Sequence, residues 1–332
     1  MRYFVTGATG FIGGRVARQL RAAGHDVVAL ARHPERAGDL AALGVEVRPG
    51  EITDRETLRG PMTGVDGVFH IAGWNHLGVR DTAPAAPVNV AGTRNVLETM
   101  RDLGIPKGVY TSTVTVFGDT HGQLADESYR AAGPWLTVYD RTKWRAHYEV
   151  AEPLQRAGLP LVIVQPGPAY GPGDAGVLHE TFVQFLQGKL PMAPSRTALC
   201  LAHVEDVAQG HILAMERGTP GESYIIAGPP HTFLEIMALA AQISGVPAPK
   251  QHPPPGLLKG MAAVMDLVGA VVPLPPAYSG EMLRSIAGVT YLASNAKARR
   301  ELGYDPRPLA DGLRETLAAE MAALGMPVPA AA

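Results

Sequence analysis

A glycine-rich segment near the N-terminus limits the fold more than any other feature of this chain. It reads Thr6-Gly-Ala-Thr-Gly-Phe-Ile-Gly13 and lies between a short apolar run and a stretch with helical spacing. Glycines let the backbone and a helix N-terminus approach a pyrophosphate, whose charge the helix dipole and the free N–H groups favour. The spacing alone is weak, but its place between a first strand and a first helix predicts a dinucleotide site. The residues expected at this site are Gly7, Thr9, Gly10, Phe11, Ile12 and Gly13.

Short β-rich runs alternate with helical stretches through the first half of the chain. This alternation predicts an α/β fold, a Rossmann doubly wound parallel sheet with helices on both faces and ligands at the carboxyl ends of the strands. The predicted strands are Tyr3–Thr6, Asp26–Ala31, Val45–Arg48, Gly67–Ile71, Gly108–Thr113 and Leu161–Gln165, and the clearest helical stretches are Gly14–Ala23, Val88–Leu103 and Tyr139–Ala157.

After Gln165, prolines and glycines interrupt the alternation of strands and helices, which indicates a loop that leaves the sheet. One more helix, from about Asp206 to Glu216, and one more strand, Ser223–Ala227, follow. We therefore predict a Rossmann domain formed by 1–165 and 197–228. A smaller, discontinuous C-terminal substrate lobe is expected from 166–196 and 229–332.

The end of the second predicted strand bears on which dinucleotide is bound. Binders of NAD usually carry an acidic residue there, which accepts hydrogen bonds from the ribose. Here Ala31 holds that position and Arg32 follows, with Arg36 nearby. An arginine without a competing carboxylate can pair with a 2′-phosphate, so the sequence favours NADP(H). The alternative is that Arg32 is an ordinary solvated loop residue.

A tyrosine and a lysine stand four residues apart at the start of a predicted helix. Tyr139 and Lys143 therefore share one helix face, about 5–6 Å apart. A neighbouring ammonium lowers the pKa of a phenol, so such a tyrosine can exchange a proton with a substrate hydroxyl or carbonyl. Alone, such a pair is often a coincidence of two surface residues. Its occurrence together with the glycine loop favours a catalytic role.

Several further motifs give the chain a family resemblance. They are Val68-Phe-His-Ile-Ala-Gly73, Asn89-Val-Ala-Gly-Thr-Arg-Asn-Val-Leu97, Tyr110-Thr-Ser-Thr-Val-Thr-Val-Phe-Gly118, Gln165-Pro-Gly-Pro-Ala-Tyr-Gly-Pro-Gly-Asp174, His203-Val-Glu-Asp-Val207 and Ala296-Lys-Ala-Arg-Arg-Glu-Leu-Gly303. With the glycine loop and Tyr139-x-x-x-Lys143, the chain resembles an extended short-chain dehydrogenase/reductase of the NAD(P)-dependent epimerase/dehydratase superfamily. The last motif and the following Pro306-Arg-Pro-Leu309 resemble the dihydroflavonol-reductase-like branch.

The resemblance implies roles for further residues. It places the catalytic hydroxyl on Thr113, with Ser112 as the neighbouring candidate for substrate contact, although hydroxyls in such runs are often only cross-strand partners. It places Asn89 near the proton path. Further cofactor contacts implied by the family are Glu51, where the family often has Asp, and Ile52, Ala72, Gly73, Pro166 and Gly167, together with Tyr139 and Lys143.

Composition and charge narrow the functional classes. The net charge is −2, and the sequence has no cluster of basic residues, which argues against a nucleic-acid-binding protein. The lone Cys200 and the absence of a leader pattern favour the cytoplasm. Lys259 and Asp266 interrupt the apolar run 257–272, which is too short to span a bilayer, so we expect a helix that covers an apolar pocket and no membrane insertion. Contact of this run with a membrane surface stays an open alternative.

No metal site is expected, because the group His203, Glu205 and Asp206 lacks supporting ligand spacing. We expect an NADP-dependent reductase or dehydrogenase acting on a hydrophobic ketone, aldehyde or alcohol, with Trp74 and His76 near the substrate.

One alternative is a nucleotide-sugar epimerase or dehydratase. Its diphosphate would need basic residues in the second lobe, where Arg196 and Arg284 are the obvious candidates. Another alternative is a non-catalytic NADP sensor, a class that typically lacks the Tyr/Lys pair. The sequence leaves the substrate, and whether the chain forms a homodimer, open.

Overall fold

The computed structural model describes residues 1–131 and 133–328, and a parallel sheet lies at its centre. The strands of the described part are β1 (Arg2–Thr6), β2 (Asp26–Ala31), β3 (Glu46–Pro49), β4 (Gly67–His70), β5 (Gly108–Thr111), β6 (Leu161–Pro166), β7 (Ala169–Tyr170), β8 (Ala198–Leu199), β9 (Ala202–His203), β10 (Ser223–Ile226), β11 (His231–Thr232) and β12 (Thr290–Tyr291). The central sheet has the order β10-β6-β5-β4-β1-β2-β3, and all its neighbouring strands are parallel. Strands β2 and β3 are added on one side of β1, and β4, β5, β6 and β10 on the other. Sheets of this kind bind their ligand in the crevice at this switch point, between β1 and β4.

Helices cover both faces of this sheet and also form much of the second lobe. They are α1 (Phe11–Ala22), α2 (Gly38–Ala42), α3 (Glu56–Met62), α4 (Thr93–Asp102), α5 (Val138–Arg145), α6 (Glu152–Arg156), α7 (Val177–Leu186), α8 (Val204–Arg217), α9 (Phe233–Ser244), α10 (Pro255–Val271), α11 (Gly280–Ser285), α12 (Ala296–Leu302) and α13 (Leu309–Ala323). Short 3₁₀ turns span Pro34–Arg36, Val114–Phe117 and Pro276–Tyr278, and π turns span Pro87–Gly92 and Ala146–Ala151.

Successive residues of each central strand point to opposite layers, so the strands are apolar on both sides. Tyr3 and Val5 of β1 belong to a core formed with α1, α8 and α12. Phe4, between them, belongs to a second core with α3 and α4. Burial on both faces explains why these strands appear in the sequence as nearly continuous apolar runs.

The predicted strands of the central sheet are all present. The bounds of Asp26–Ala31 agree with the prediction, and the largest difference is in β5, which ends at Thr111 instead of Thr113. The predicted helix Tyr139–Ala157 is α5 and α6 joined by the π turn Ala146–Ala151. The predicted helix Val88–Leu103 is α4 preceded by the other π turn. The fold class is thus confirmed.

The second lobe has its own small core and sheet. Phe182, Ile236 and Leu313 come from α7, α9 and α13 and are buried together. A three-stranded sheet joins β8 to β11 and β12, whereas β10 is the edge strand of the central sheet. Helix α12 packs against α8 and β10, and its Leu302 belongs to the core of the central sheet. The division into 1–165 with 197–228, and 166–196 with 229–332, stays a prediction.

Helix α10 differs from the expectation of an apolar helix turned inward. Leu258 and Ala262 are its buried residues, while the side chains of Leu267 and Val271 are 75% and 84% exposed. The sequence pattern did not distinguish these faces because apolar residues lie all around the helix. In the described residues, no helix combines the length and apolarity needed to cross a membrane.

Candidate active site

The loop between β1 and α1 has a backbone that only glycine can form. Gly7 has φ +73°, and a Cβ added there would lie 2.7 Å from the backbone nitrogen of Ala72. A Cβ on Gly13 would lie 2.2 Å from the carbonyl oxygen of Gly7. Helix α1 begins directly after Gly10, whose residue type provides no side-chain cap. The N–H groups at this helix start are therefore available to a phosphate, so the predicted cradle fits a dinucleotide.

The segment that follows β4 is held against this loop. The Thr6 hydroxyl accepts hydrogen bonds from the backbone N–H groups of Ile71 and Ala72, each at 3.1 Å. Ala72 is partly exposed and Gly73 is exposed beside the loop. Their position agrees with the predicted cofactor contacts, which stay a prediction.

The carboxyl end of β2 carries two arginines shortly after a buried alanine. Ala31 is buried at the strand end, and Arg32 and Arg36 are exposed directly after it. Neither arginine forms an ion pair with any residue that the structure describes. Both cations are therefore free to meet an anion at this edge of the sheet.

The end of β3 leads to the predicted adenine contacts. Glu51 is exposed, and Ile52 is buried against Gly92, where an added Cβ would lie 2.6 Å from the Ile52 Cδ1 atom. Asn95 donates hydrogen bonds to the carbonyl oxygens of Ile52 and Thr53, at 2.9 and 3.3 Å. Asn95, which the sequence analysis did not single out, therefore fixes the backbone beside this predicted site.

Tyr139 lies in the first turn of α5, and two side chains fix the start of that helix. The Thr137 hydroxyl accepts a hydrogen bond from the backbone N–H of Asp140 at 2.9 Å, as an N-cap does. The Glu281 carboxylate, from the second lobe, accepts one from the N–H of Val138 at 2.8 Å. The other Glu281 oxygen accepts from the N–H of Gly78 at 3.0 Å. No sequence signal linked Glu281 to this site.

Thr113 and Tyr139 meet at the carboxyl end of β5. Burial raises the pKa of the Tyr139 phenol and the charge of Asp140 raises it further, whereas the nearby Thr113 hydroxyl lowers it by a smaller amount. Burial also raises the pKa of Asp140 to about 6. The structure thus brings together the hydroxyl and the phenol that the family resemblance singled out.

Lys143 lies one turn further along α5, and its ammonium donates hydrogen bonds to two acceptors in β5. Its Nζ donates to the carbonyl oxygen of Thr111 at 2.7 Å and to the Tyr110 hydroxyl at 3.3 Å. Burial lowers the pKa of Lys143 to about 7. The phenol pKa of Tyr139 is raised overall, so the lowering expected from helical spacing alone is not found.

Asn89 connects the loop after β4 to α5. Its Oδ1 atom accepts from the backbone N–H of Trp74 at 2.7 Å, and its amide donates to the Trp74 carbonyl at 3.0 Å and to the Thr142 hydroxyl at 2.9 Å. Asn89 is 1% exposed. With its amide engaged in this way, Asn89 is well placed to orient Trp74 relative to α5. Its role in a proton path stays a prediction.

The remaining predicted site residues differ in their exposure to solvent. Ser112 is buried, and its hydroxyl is hydrogen-bonded to His147 Nδ1 at 2.7 Å, so it faces the interior. Trp74 is also buried, with the exposed His76 ring edge-on at 5.5 Å. Gly167 follows Pro166 in close contact with Cys200, whose carbonyl oxygen would lie 2.1 Å from an added Cβ.

The side chains of His203 and Asp206 contact other parts of the protein. Asp206 accepts hydrogen bonds from the Arg307 guanidinium at 2.9 Å, and His203 caps the start of α8. No cluster of three or more metal-ligating side chains occurs among the residues described.

Comparisons with known proteins agree with this geometry. The sequence profile of the NAD dependent epimerase/dehydratase family matches residues 3–227. A protein from Synechocystis sp., provisionally named a dihydroflavonol 4-reductase, is 34% identical over 95% of this chain and 93% of its own length. A 4-hydroxy-2-methyl-3-oxo-4-farnesyl-3,4-dihydroquinoline-1-oxide ketoreductase from Stigmatella aurantiaca is 32% identical over 92% of both chains.

Among solved structures, the crystal structure of gox2253 superposes with a TM-score of 0.84 at 32% identity, covering 98% of this chain and 99% of the other. The family resemblance seen in the motifs is thereby confirmed. The chain belongs to the NAD dependent epimerase/dehydratase family of extended short-chain dehydrogenases/reductases, and it is an NAD(P)-dependent oxidoreductase.

Proposed function

We propose that this protein is an NADP(H)-dependent carbonyl reductase or alcohol dehydrogenase acting on hydrophobic substrates. The proposal is carried by the placement of three residues: Thr113 lies just after β5, Tyr139 lies in the first turn of α5, and Lys143, one turn further on, donates a hydrogen bond to the carbonyl oxygen of Thr111 in β5 at 2.7 Å. A carbonyl oxygen placed there can accept hydrogen bonds from both hydroxyls. When bound, the nicotinamide supplies or accepts the hydride.

The other steps of the reaction fall to side chains and backbone groups of this protein. The raised pKa keeps the Tyr139 phenol protonated at neutral pH, as an acid for carbonyl reduction must be. Thr113 orients the substrate oxygen. Lys143 lies deep enough to reach a nicotinamide ribose and to favour negative charge developing on Tyr139. The glycine loop and the start of α1 would hold the pyrophosphate.

Support for NADP(H) over NAD(H) comes from the end of β2. Arg32 and Arg36 are exposed and have no ion-pair partner among the described residues, and Ala31 replaces the usual carboxylate. A 2′-phosphate placed there would gain a charge-assisted contact, while a bare ribose would lack its usual acceptor.

Support for an uncharged substrate comes from the side chains near Tyr139. Asp140 and Glu281 are close enough to influence each other, and both carry carboxyl groups. In the second lobe, Arg284 is engaged in an ion pair with Asp266 at 2.5 Å. A nucleotide diphosphate near Tyr139 would therefore lie close to negative charge, and one of the two arginines that the epimerase alternative offered is already paired. The name of the Stigmatella relative, a ketoreductase, agrees with a carbonyl substrate.

The test is a panel of aldehydes and ketones of increasing apolar size, with NADPH consumption followed by absorbance. We expect turnover to increase with the apolar area of the substrate. Calorimetry with UDP and a UDP-sugar in the presence of NADP should show no binding. Micromolar binding of either nucleotide would replace the reductase proposal with the epimerase alternative.

A further inference from the structure

Tyr110 lies beside Lys143 in the protein interior, and the reaction proposed above gives it no role. The residue is in β5 and is 0% exposed. Its hydroxyl is 3.3 Å from Lys143 Nζ, and the same nitrogen lies 4.9 Å from the centroid of the Tyr110 ring. The phenol therefore offers the ammonium both an oxygen acceptor and an aromatic face.

A chain of buried hydrogen bonds leads towards this phenol from the glycine loop. The Thr6 hydroxyl accepts from two backbone N–H groups, so its own proton is directed to His70 Nδ1 at 2.8 Å. Burial lowers the pKa of His70 to about 3, which keeps the ring neutral. Its proton is then on Nε2, which donates to the Thr93 hydroxyl at 3.0 Å.

The chain of bonds ends at Tyr110. Burial raises the pKa of the Tyr110 phenol, so the phenol is neutral, and the nearby Thr93 hydroxyl offsets part of this rise. His70 also stacks on the Tyr110 ring, with centroids 5.5 Å apart. These contacts, together with that of Lys143, fix the position of the Tyr110 side chain.

We propose that Tyr110 is a positioning residue that holds the Lys143 ammonium at the carboxyl end of β5. Together with the Thr111 carbonyl, it engages two of the three N–H bonds of the ammonium and leaves the third for the active site. Through Thr93 and His70, the same contact ties the lysine to Thr6 at the base of the glycine loop. This inference rests on the proposed function only in that Lys143 takes part in the reaction.

The charge of Lys143 has little other support. The titratable groups that contact it or are influenced by it are Tyr110, His70 and His147, all from neighbouring elements. On its own helix, Tyr139 lies four residues earlier. Burial lowers the pKa of both histidines to about 3, so they are neutral at pH 7. Burial is also the cause of the lowered pKa of Lys143. Hydrogen bonds to Thr111 and Tyr110 are therefore what favours its charged form.

The direct test is the pKa of Lys143 in Tyr110→Phe. This variant keeps the ring and its stacking but removes the oxygen acceptor, so we expect the pKa to fall by about one unit. The chain has six lysines, which makes NMR titration of ¹³Cε-labelled lysine in the cofactor-free protein practicable. Tyr304→Phe is the matched control. Tyr304 is also buried, and its hydroxyl has no hydrogen-bond partner among the described residues.

A kinetic readout complements the titration. If Lys143 must be charged for reduction, the alkaline limb of the kcat profile in Tyr110→Phe should move to lower pH by the same amount. An unchanged Lys143 pKa in Tyr110→Phe would overturn the inference, as would lower activity with an unmoved pH profile. If no carbonyl substrate is found, the proposed function fails, but the NMR titration still decides the role of Tyr110.

Discussion

The carboxylate of Glu281 accepts a hydrogen bond from the backbone N–H of Val138 at 2.8 Å, which links the second lobe to the helix that carries Tyr139. The same carboxylate accepts a hydrogen bond from the backbone N–H of Gly78, which lies in the loop after β4, four residues beyond Trp74. One side chain of α11 therefore holds the start of α5 and the loop at Gly78 together.

Replacing Glu281 should affect both stability and catalysis. Glu281→Gln keeps the length of the side chain but loses one of the two carboxylate acceptors and the charge. We expect the free energy of unfolding to fall by about 0.5–2 kcal/mol, the range for loss of a helix cap. We also expect kcat/KM to fall, because Tyr139 and the loop at Gly78 would no longer be fixed together. Urea denaturation and steady-state kinetics would measure these effects.

Glu149→Gln is the matched control, since Glu149 forms an exposed pair with Arg145 on the same face of the helix, four residues apart. Exposed pairs of this kind contribute about 0.3–0.5 kcal/mol. Equal losses in the two variants would contradict a special role for Glu281.

Tyr139→Phe tests the acid. The variant keeps the ring but removes the exchangeable proton, so the reduction rate should fall by about 10²-fold or more. The dissociation constant of NADPH, measured by fluorescence titration, should barely change. Tyr278→Phe, at an exposed tyrosine in a loop of the second lobe, serves as a control. Wild-type turnover in Tyr139→Phe would rule out Tyr139 as the acid.

The sequence predicted the central sheet well because its strands are buried on both faces. Such strands appear as apolar runs, as at Asp26–Ala31, and their positions need no knowledge of distant contacts. Parallel pairing then brings the carboxyl ends of the strands to one edge, where Thr113 and the glycine loop each follow a strand; that they serve one site stays a prediction. The end of β5 was placed too late because its hydroxyl residues are compatible with a strand.

Contacts between distant segments could not be predicted in this way. Gly78 and Glu281 are separated by 203 residues, and no local pattern relates them. Helical spacing placed Lys143 on the face of Tyr139, but its acceptors, Thr111 and Tyr110, come from a strand. The apolar residues of α10 surround the helix, so the pattern did not reveal that Leu267 is exposed.

Arg32→Ala tests the choice of cofactor. A charge-assisted contact contributes about 1.5–3 kcal/mol, so the affinity for NADPH should fall roughly 10- to 100-fold. The affinity for NADH should stay nearly constant because it lacks the 2′-phosphate. Arg314→Ala, on the exposed side of α13, is the control for loss of a surface cation. Equal affinities of the wild-type protein for NADPH and NADH would contradict the prediction.

Asp140 should make the stability of the protein depend on pH. Burial raises its pKa from 3.8 to about 6 in the folded state. Between these two values the folded chain binds more protons at this site than the unfolded chain, so the contribution of Asp140 to stability falls as pH rises. Asp140→Asn has a similar shape and cannot ionise. The free energy of unfolding of the wild type should therefore fall relative to this variant by on the order of 2–3 kcal/mol between pH 4 and pH 7.

Urea denaturation of both proteins across this pH range measures the difference. A constant offset between them would reflect lost hydrogen bonds to Thr137 and Thr115, whereas the predicted effect is a change of the offset with pH. Asp39→Asn is the control for loss of a carboxylate at a site that is 94% exposed. Parallel stability curves for the wild type and Asp140→Asn would mean that the Asp140 carboxyl titrates as an ordinary surface group despite its burial.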